Sequence, residues 1–198
     1  MVVLDLHLLG WSNEPVRSSL PLPVALSNLL VFLNAHLALS HENTAAILAA
    51  GINGASYLFP TTKDVLHNKN NETNDTGNND ISMDEVSGPG YRPFVVLDQQ
   101  VKDNLKLMLE EQFNENNKEA LEKEIHDPSR ISAGLALALS HINIVSQKYT
   151  AATDLQSRIL IISVSEDFSV QYIPFMNCVF AAQKKVFNLS NAKTKSQY

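Results

Sequence analysis

The chain has one cysteine, Cys178, among 198 residues, which excludes an intrachain disulfide and any zinc site built from thiolates. A lone thiol fits a reducing, intracellular compartment best. Basic charge is also scarce. Fifteen Lys+Arg against 21 Asp+Glu leave a net charge of −6, and the pI lies near 5.4. That balance argues against a broad basic face that grips nucleic acid. No run approaches the ~20 apolar residues that span a bilayer, so no membrane segment is expected. The start, Met1 to Gly10, is apolar but lacks a basic n-region and is interrupted by Asp5, so it does not read as a signal peptide. Glycine is sparse too, at seven residues. Neither Gly51-Ile-Asn-Gly54 nor Gly88-Pro-Gly90 forms a dinucleotide fingerprint or a phosphate-binding P-loop. No Gly-x-Ser-x-Gly elbow is present to activate a serine. His36 and His41 are five apart, a spacing that puts them on different sides of a helix, and the other histidines show no metal-type pairing. His141, near an apolar stripe, reads as a hydrogen-bonded structural residue. Cys178, among Met176, Val179 and Phe180, reads as an inert buried thiol. No catalytic residue, metal ligand set or cofactor is therefore expected.

With 44% apolar and 18% charged residues, the chain has the composition of a globular domain with a real core. Val2–Leu6 reads as a buried strand. Leu22 to Leu39 carries Leu26, Leu29, Leu30, Leu33 and Leu37 at helical spacing, with Pro21 and Pro23 at the entrance, where proline is tolerated. Thr44 to Ala50 and Ala55 to Phe59 are short apolar runs around the Gly51–Gly54 turn, hence a hairpin. Residues 67–90 are rich in asparagine and poor in large apolar side chains, so a mobile insertion is expected there. Asn71-Glu-Thr73, Asn74-Asp-Thr76 and Asn188-Leu-Ser190 match the glycosylation sequon in form only. Asp98 is placed to cap a helix bearing Val101, Leu105, Met108, Leu109 and Gln112. The stretch from Asn114 to Lys123 is charged and reads as solvated. A further helix after Asp127-Pro128-Ser129 carries Leu135, Leu139, Ile142, Val145 and Tyr149 on one stripe. Arg158 to Val164 is apolar on both alternating faces, as in a central parallel strand. The last helix bears Tyr172, Phe175, Met176, Val179, Phe180 and Gln183, with Pro174 in its first turns. Strand, helix, strand, strand, helix, helix, strand, helix implies a three-layer α/β fold with a mainly parallel sheet and an antiparallel edge hairpin.

That order, with a hairpin after the first long helix, resembles the von Willebrand factor A-like (Rossmann-like) plan. Two stretches narrow the resemblance. Leu30-Val-Phe-Leu-Asn-Ala-His-Leu37, and Ser157-Arg-Ile-Leu-Ile-Ile-Ser163 with Gln171-Tyr-Ile-Pro-Phe-Met-Asn-Cys-Val-Phe-Ala-Ala-Gln-Lys184, are similar to the smaller von Willebrand factor A-type core subunit of TFIIH. TFIIH is the general transcription and nucleotide-excision-repair factor. The resemblance covers 1–185 apart from the Asn-rich insertion at 67–90. Residues 186–198 do not resemble the family's next strand. The family continues with two more strands and a cysteine-rich zinc module, so the chain reads as C-terminally truncated, without that module's zinc. Truncation implies an exposed apolar edge at Ile159–Val164, an aggregation liability unless the tail near Phe187–Leu189 covers it.

Many von Willebrand A domains hold a divalent cation through Asp-x-Ser-x-Ser, a loop threonine and a second aspartate, oxygen ligands suited to a hard cation. Here the first motif reads Asp5-Leu-His-Leu-Leu9, with His7 and Leu9 in place of both serines. The fourth strand runs into Ser163-Val-Ser-Glu-Asp167, with serine or valine where the aspartate should fall. Ser129 or Ser132 could stand for the threonine. Asp5 then reads as a satisfied polar group at a strand end. The resemblance implies a non-catalytic nuclear scaffold, active in nucleotide excision repair and RNA polymerase II initiation. Its implied partner is the larger von Willebrand A-type subunit, through that subunit's RING region, alongside other core subunits. Helices 130–149 and 168–185 are the expected contact surface, with Gln171, Asn177 and Gln183 at its rim. The alternative is a free-standing, cation-dependent ligand-binding module of the same fold.

Overall fold

A computed structural model describes residues 1–60, 92–112, 129–148, 156–165, 169–184 and 188–193. The elements run β1 (Val2–Asp5), α1 (Leu8–Ser12), α2 (Glu14–Ser19), α3 (Leu22–Leu39), β2 (Ile47–Ala50) and β3 (Ala55–Phe59). They continue with α4 (Arg92–Gln112), α5 (Ile131–Lys148), β4 (Arg158–Ser163), α6 (Ser169–Lys184) and β5 (Asn188–Lys193). The five strands form one sheet of order β3-β2-β1-β4-β5. β1 pairs parallel with β2 and β4, with Leu4 opposite Ala49 on one side and Ile162 on the other. The edge strand β3 runs antiparallel to β2, as the Gly51–Gly54 turn implies. Gly51 N donates to Gly54 O at 2.8 Å, and Gly54 has φ 143°, a conformation a side chain rarely adopts.

Because side chains alternate along a strand, each strand feeds two cores. Val2, Leu4, Leu6, Ile47 and Ala49 pack with Leu26, Leu29, Leu30 and Leu33 of α3 and with Leu97, Val101 and Leu105 of α4. Val3, Leu48, Ala50, Ile159 and Ile161 pack instead with Leu135, Ala138 and Ile142 of α5, and with Phe175 and Cys178 of α6. Each fully buried leucine or isoleucine contributes about 1.5–3 kcal/mol, so these two clusters dominate the favourable side of folding. α4 is anchored to the edge strand, where Asn104 Nδ2 donates to Leu58 O at 2.9 Å. α5 lies closest to the sheet at Gly134, where a Cβ would come within 2.8 Å of Val3 Cγ1.

Several expectations change. α4 begins at Arg92, so Asp98 is inside the helix rather than at its cap. Asp98 Oδ1 instead accepts a hydrogen bond from Asn34 Nδ2 of α3 at 3.2 Å. Of the two outcomes left open for the edge at Ile159–Val164, the structure shows the covered one: Asn188–Lys193 is a strand paired in parallel with β4 along its whole length, with Leu189 opposite Ile159, so β4 is an inner strand. The packed face of α6 is Gln171, Phe175, Cys178 and Ala182, while Tyr172, Phe180 and Gln183 are exposed. The expected stripe therefore runs partly into solvent. α3 is uncharged and meets the length and apolarity of a bilayer span, contrary to the expectation that no stretch does. Its four leucines Leu26, Leu29, Leu30 and Leu33 are nevertheless buried in the core. The expected insertion at 67–90, the 114–123 stretch and Tyr149 lie outside the described residues.

Candidate functional site

Chain direction reverses across the sheet between β1 and β4: from β1 the chain moves through α3 to β2 on one side, while β4 lies on the other. In open α/β sheets the carboxyl ends of strands at such a switch point form the crevice where ligands bind. Here those ends carry Asp5, Ser163 and Ser165.

Asp5 is fully buried, and its carboxylate is saturated from inside the fold. Oδ1 accepts from the backbone N–H of His7 at 2.9 Å. Oδ2 accepts from the N–H groups of Val164 and Ser165 at 3.1 and 2.9 Å. Two hydroxyls complete the set, Ser163 Oγ at 3.1 Å and Ser165 Oγ. Ser165 Oγ also lies 3.0 Å from Ser129 Oγ, immediately before α5. The charge that would draw a cation is thus spent on three backbone amides and two hydroxyls. A metal would have to displace several of these charge-assisted bonds, each worth about 1.5–3 kcal/mol. The donor set does not suit a cation, and the first motif serine is His7, whose Nδ1 is taken up within the fold. His7 caps α1, its Nδ1 accepting from Gly10 N at 3.1 Å. Asp5 is the satisfied strand-end group anticipated from the sequence.

The crevice is also filled. Trp11 of α1 is buried, and its Nε1–H donates to Asp5 O at 2.8 Å. Gly10 lies so close to β4's exit that a Cβ there would meet Val164 Cγ2 at 2.9 Å. α1 has five residues, too few to show a helical period in the sequence. Its effect is to seat a buried indole against the carboxyl end of β1. An open, largely apolar groove lies elsewhere, between α3 and α4, lined by Leu26, Lys102, Leu105, Lys106, Leu109 and Glu110. No group of three or more His, Cys, Asp or Glu side chains placed to hold a metal occurs among the described residues.

The three residues expected at a partner contact fall in different settings. Gln171 is half-buried and turned inward, its Nε2–H donating to Ser129 O. Its Oε1 accepts from Ser132 Oγ at 3.2 Å. It ties α6 to the start of α5 and, through Ser129 and Ser165, to Asp5. Asn177 and Gln183 are exposed on α6. Between and around them sequence reasoning missed a larger feature: Val170 is 84% exposed and Ile173 69%, with Tyr172 and Phe180 also exposed. The helix carries no charged residue before Lys184. Cys178 is half-buried, with its Sγ–H directed at Ser132 O at 3.8 Å, and burial pushes its thiol pKa up. It is therefore an unreactive packing residue. His141 shares a hydrogen bond with Tyr57 Oη at 3.1 Å, the rings tilted at 51°. Its structural reading holds.

Comparison with known proteins places this geometry. A family model described as "Transcription factor Tfb4" matches residues 1–197. The chain is 34% identical over 185 residues to the general transcription and DNA repair factor IIH subunit tfb4 of Schizosaccharomyces pombe, covering 93% of this chain and 53% of that protein. It is 31% identical over 188 residues to the corresponding subunit of Yarrowia lipolytica, covering 92% of this chain and 52% of the relative. The chain thus spans about half the length of these relatives. Among solved structures, the crystal structure of the TFIIH p34 N-terminal domain superposes with a TM-score of 0.71 at 29% identity. That match covers 97% of this chain and 78% of the other. The fold is α/β and von Willebrand factor A-like, with a mixed, mostly parallel sheet.

Proposed function

The chain belongs to the transcription factor Tfb4 family, and from that premise we propose that it is a non-catalytic structural subunit of the TFIIH core. In this reading it serves nucleotide excision repair and RNA polymerase II initiation in the nucleus, through protein–protein contacts alone. The observation that carries the reading is the inward-turned Asp5. The position that would bind ligand at the switch point is saturated and capped, so the domain offers its helices rather than a cation site. A cation-dependent module would need the reverse arrangement, with free carboxylate and hydroxyl oxygens facing solvent.

The face presented is α6. Val170, Ile173 and Phe180 lie on one side of a helix that carries no charge before Lys184, with Asn177 between them. Interface cores combine such apolar anchors with charge depletion, and a few of them carry most of the affinity. The partner proposed for this face is the RING region of the larger von Willebrand A-type subunit, with Asn177 and Gln183 at the rim. Gln171 acts from beneath, holding α6 on α5. Net charge of −6 supports assembly through proteins rather than direct nucleic-acid binding. The test is size-exclusion co-elution of this chain with that RING region, for the parent and for Ile173→Glu and Phe180→Glu. Stoichiometric co-elution of the parent and loss in both variants is expected. Separate elution of a monomeric parent sinks the reading.

A further inference from the structure

We propose that the outward face of α3 is a second docking seam, which takes one α-helix of a partner subunit with an uncharged, apolar contact face. This rests on the scaffold reading above and adds a surface on the opposite side of the sheet from α5 and α6.

Leu22–Leu39 contains no Asp, Glu, Lys or Arg in 18 residues. Leu26, Leu29, Leu30 and Leu33 face the core. On an ordinary surface helix the other side is polar and charged. The neighbouring α4 behaves so, with Lys102, Asp103, Lys106 and Glu110 on its outer side and an ion pair of 3.8 Å between the last two. The outer side of α3 shows Val24, Asn28, Val31, Ala35 and Ala38, all exposed. Successive steps of four, three, four and three follow the heptad spacing of a helix–helix seam. Phe32 and Leu39 flank it, and exposures of 67% for Val31 and 81% for Leu39 show that nothing described covers it.

Charge and shape complementarity identify the occupant. A seam with no Asp, Glu, Lys or Arg suits an uncharged contact face, as in the charge-depleted core of an interface. A second copy of this chain fits poorly. Antiparallel pairing about Val31 sets Asn28 against Ala35 and leaves its amide buried without a partner. Parallel pairing stacks Ala35 on Ala35 and Ala38 on Ala38, which leaves half of the seam hollow. A lipid surface fits no better, since the helix has no cation for headgroups and its leucines are committed to the core. A partner helix with large side chains opposite Ala35 and Ala38, a polar side chain opposite Asn28 and no charge in the seam satisfies each position.

The single native cysteine makes the seam measurable. Val31→Cys and, on the outer side of α4 and outside its groove with α3, Asp103→Cys would each be labelled with a maleimide, in the chain alone and after reconstitution with the other core subunits of factor IIH. The expected result is at least ten-fold slower labelling of Val31→Cys in the assembly, with Asp103→Cys unchanged. Ala35→Glu, at an exposed position, should weaken assembly at least ten-fold while its melting temperature stays that of the parent. Assembly with Val31→Cys labelled at the free rate overturns the seam but leaves the scaffold reading standing. Failure of the parent to assemble overturns both. Concentration-dependent protection of Val31→Cys in the chain alone would assign the seam to a second copy and overturn the partner helix.

Discussion

Replacing Asp5 by asparagine tests the physical basis of the functional reading. The carboxylate takes five hydrogen bonds, four on Oδ2 and one on Oδ1. An amide keeps one acceptor oxygen. Turned so that this oxygen replaces Oδ2, it sets its own N–H₂ against the buried N–H of His7 and leaves two donors facing each other. One charge-assisted bond is lost outright, about 1.5–3 kcal/mol, and the remaining four weaken as the charge disappears. Asp5→Asn should therefore cost about 3–5 kcal/mol. That is a large share of the ~5–15 kcal/mol that holds a domain together, and it lowers the melting temperature by roughly 6–20 °C for a chain of this size. Urea unfolding followed by circular dichroism measures it, with magnesium present and with chelator. The loss should be the same in both, because the bonds at stake are internal to the fold. A variant within about 0.5 kcal/mol of the parent, or a loss seen only with magnesium, would refute the reasoning.

Gly134→Ala should destabilise the protein by about 1 kcal/mol although alanine is the better helix former, because crowding against Val3 at 2.8 Å outweighs the ~1 kcal/mol propensity gain; urea midpoints decide it. Burial, and secondly the positive charge of the Met1 amino group, hold the His141 pKa below its ordinary value. The unfolded chain then binds the proton more readily, so stability is fully present above about pH 6.5 and declines as pH falls below it. That decline should shrink in His141→Asn, measured as the difference between melting temperatures at pH 7.5 and 5.5. Gln171→Ala should cost about 1–2 kcal/mol and loosen α6 first, seen as faster hydrogen exchange in 169–184 than in α5.

Much of the fold was legible because its signals are local. Pro21 and Pro23 mark the start of α3, and leucines on a 3.6-residue period carry it to Leu39. The glycine turn at 51–54 sets the β2–β3 hairpin, and the apolar run at 158–163 is the inner strand it promised to be. What stayed hidden depends on contacts far apart in sequence. α1 and α2 have five and six residues, too few for a period, and are held by the burial of Trp11 and Val16. Asp98 is a favoured capping residue, but its partner is Asn34, 64 positions away. β5 is polar, Asn-Leu-Ser-Asn-Ala-Lys, and has no alternating apolar pattern; its strand state comes from backbone pairing with β4.

The candidate site divides in the same way. That Asp5 lacks a cation cage follows from His7 and Leu9 in the local motif. The identity of its satisfying partners, Ser163 and Ser165, follows only from parallel pairing of β1 with β4. The family-like sequence of α6 puts Gln171 at a contact rim, but that likeness does not show which way the side chain turns. Its bonds to Ser129 and Ser132 turn it inward and leave Val170, Ile173 and Phe180 as the exposed face.

The most direct test of the account is titration calorimetry of this chain against the RING region of the larger von Willebrand A-type subunit, with magnesium chloride titrated separately. The account predicts a saturable heat with the RING region near one-to-one stoichiometry, and no saturable heat with magnesium. A saturable magnesium heat with none from the RING region would contradict it, and would make the chain a cation-binding module instead.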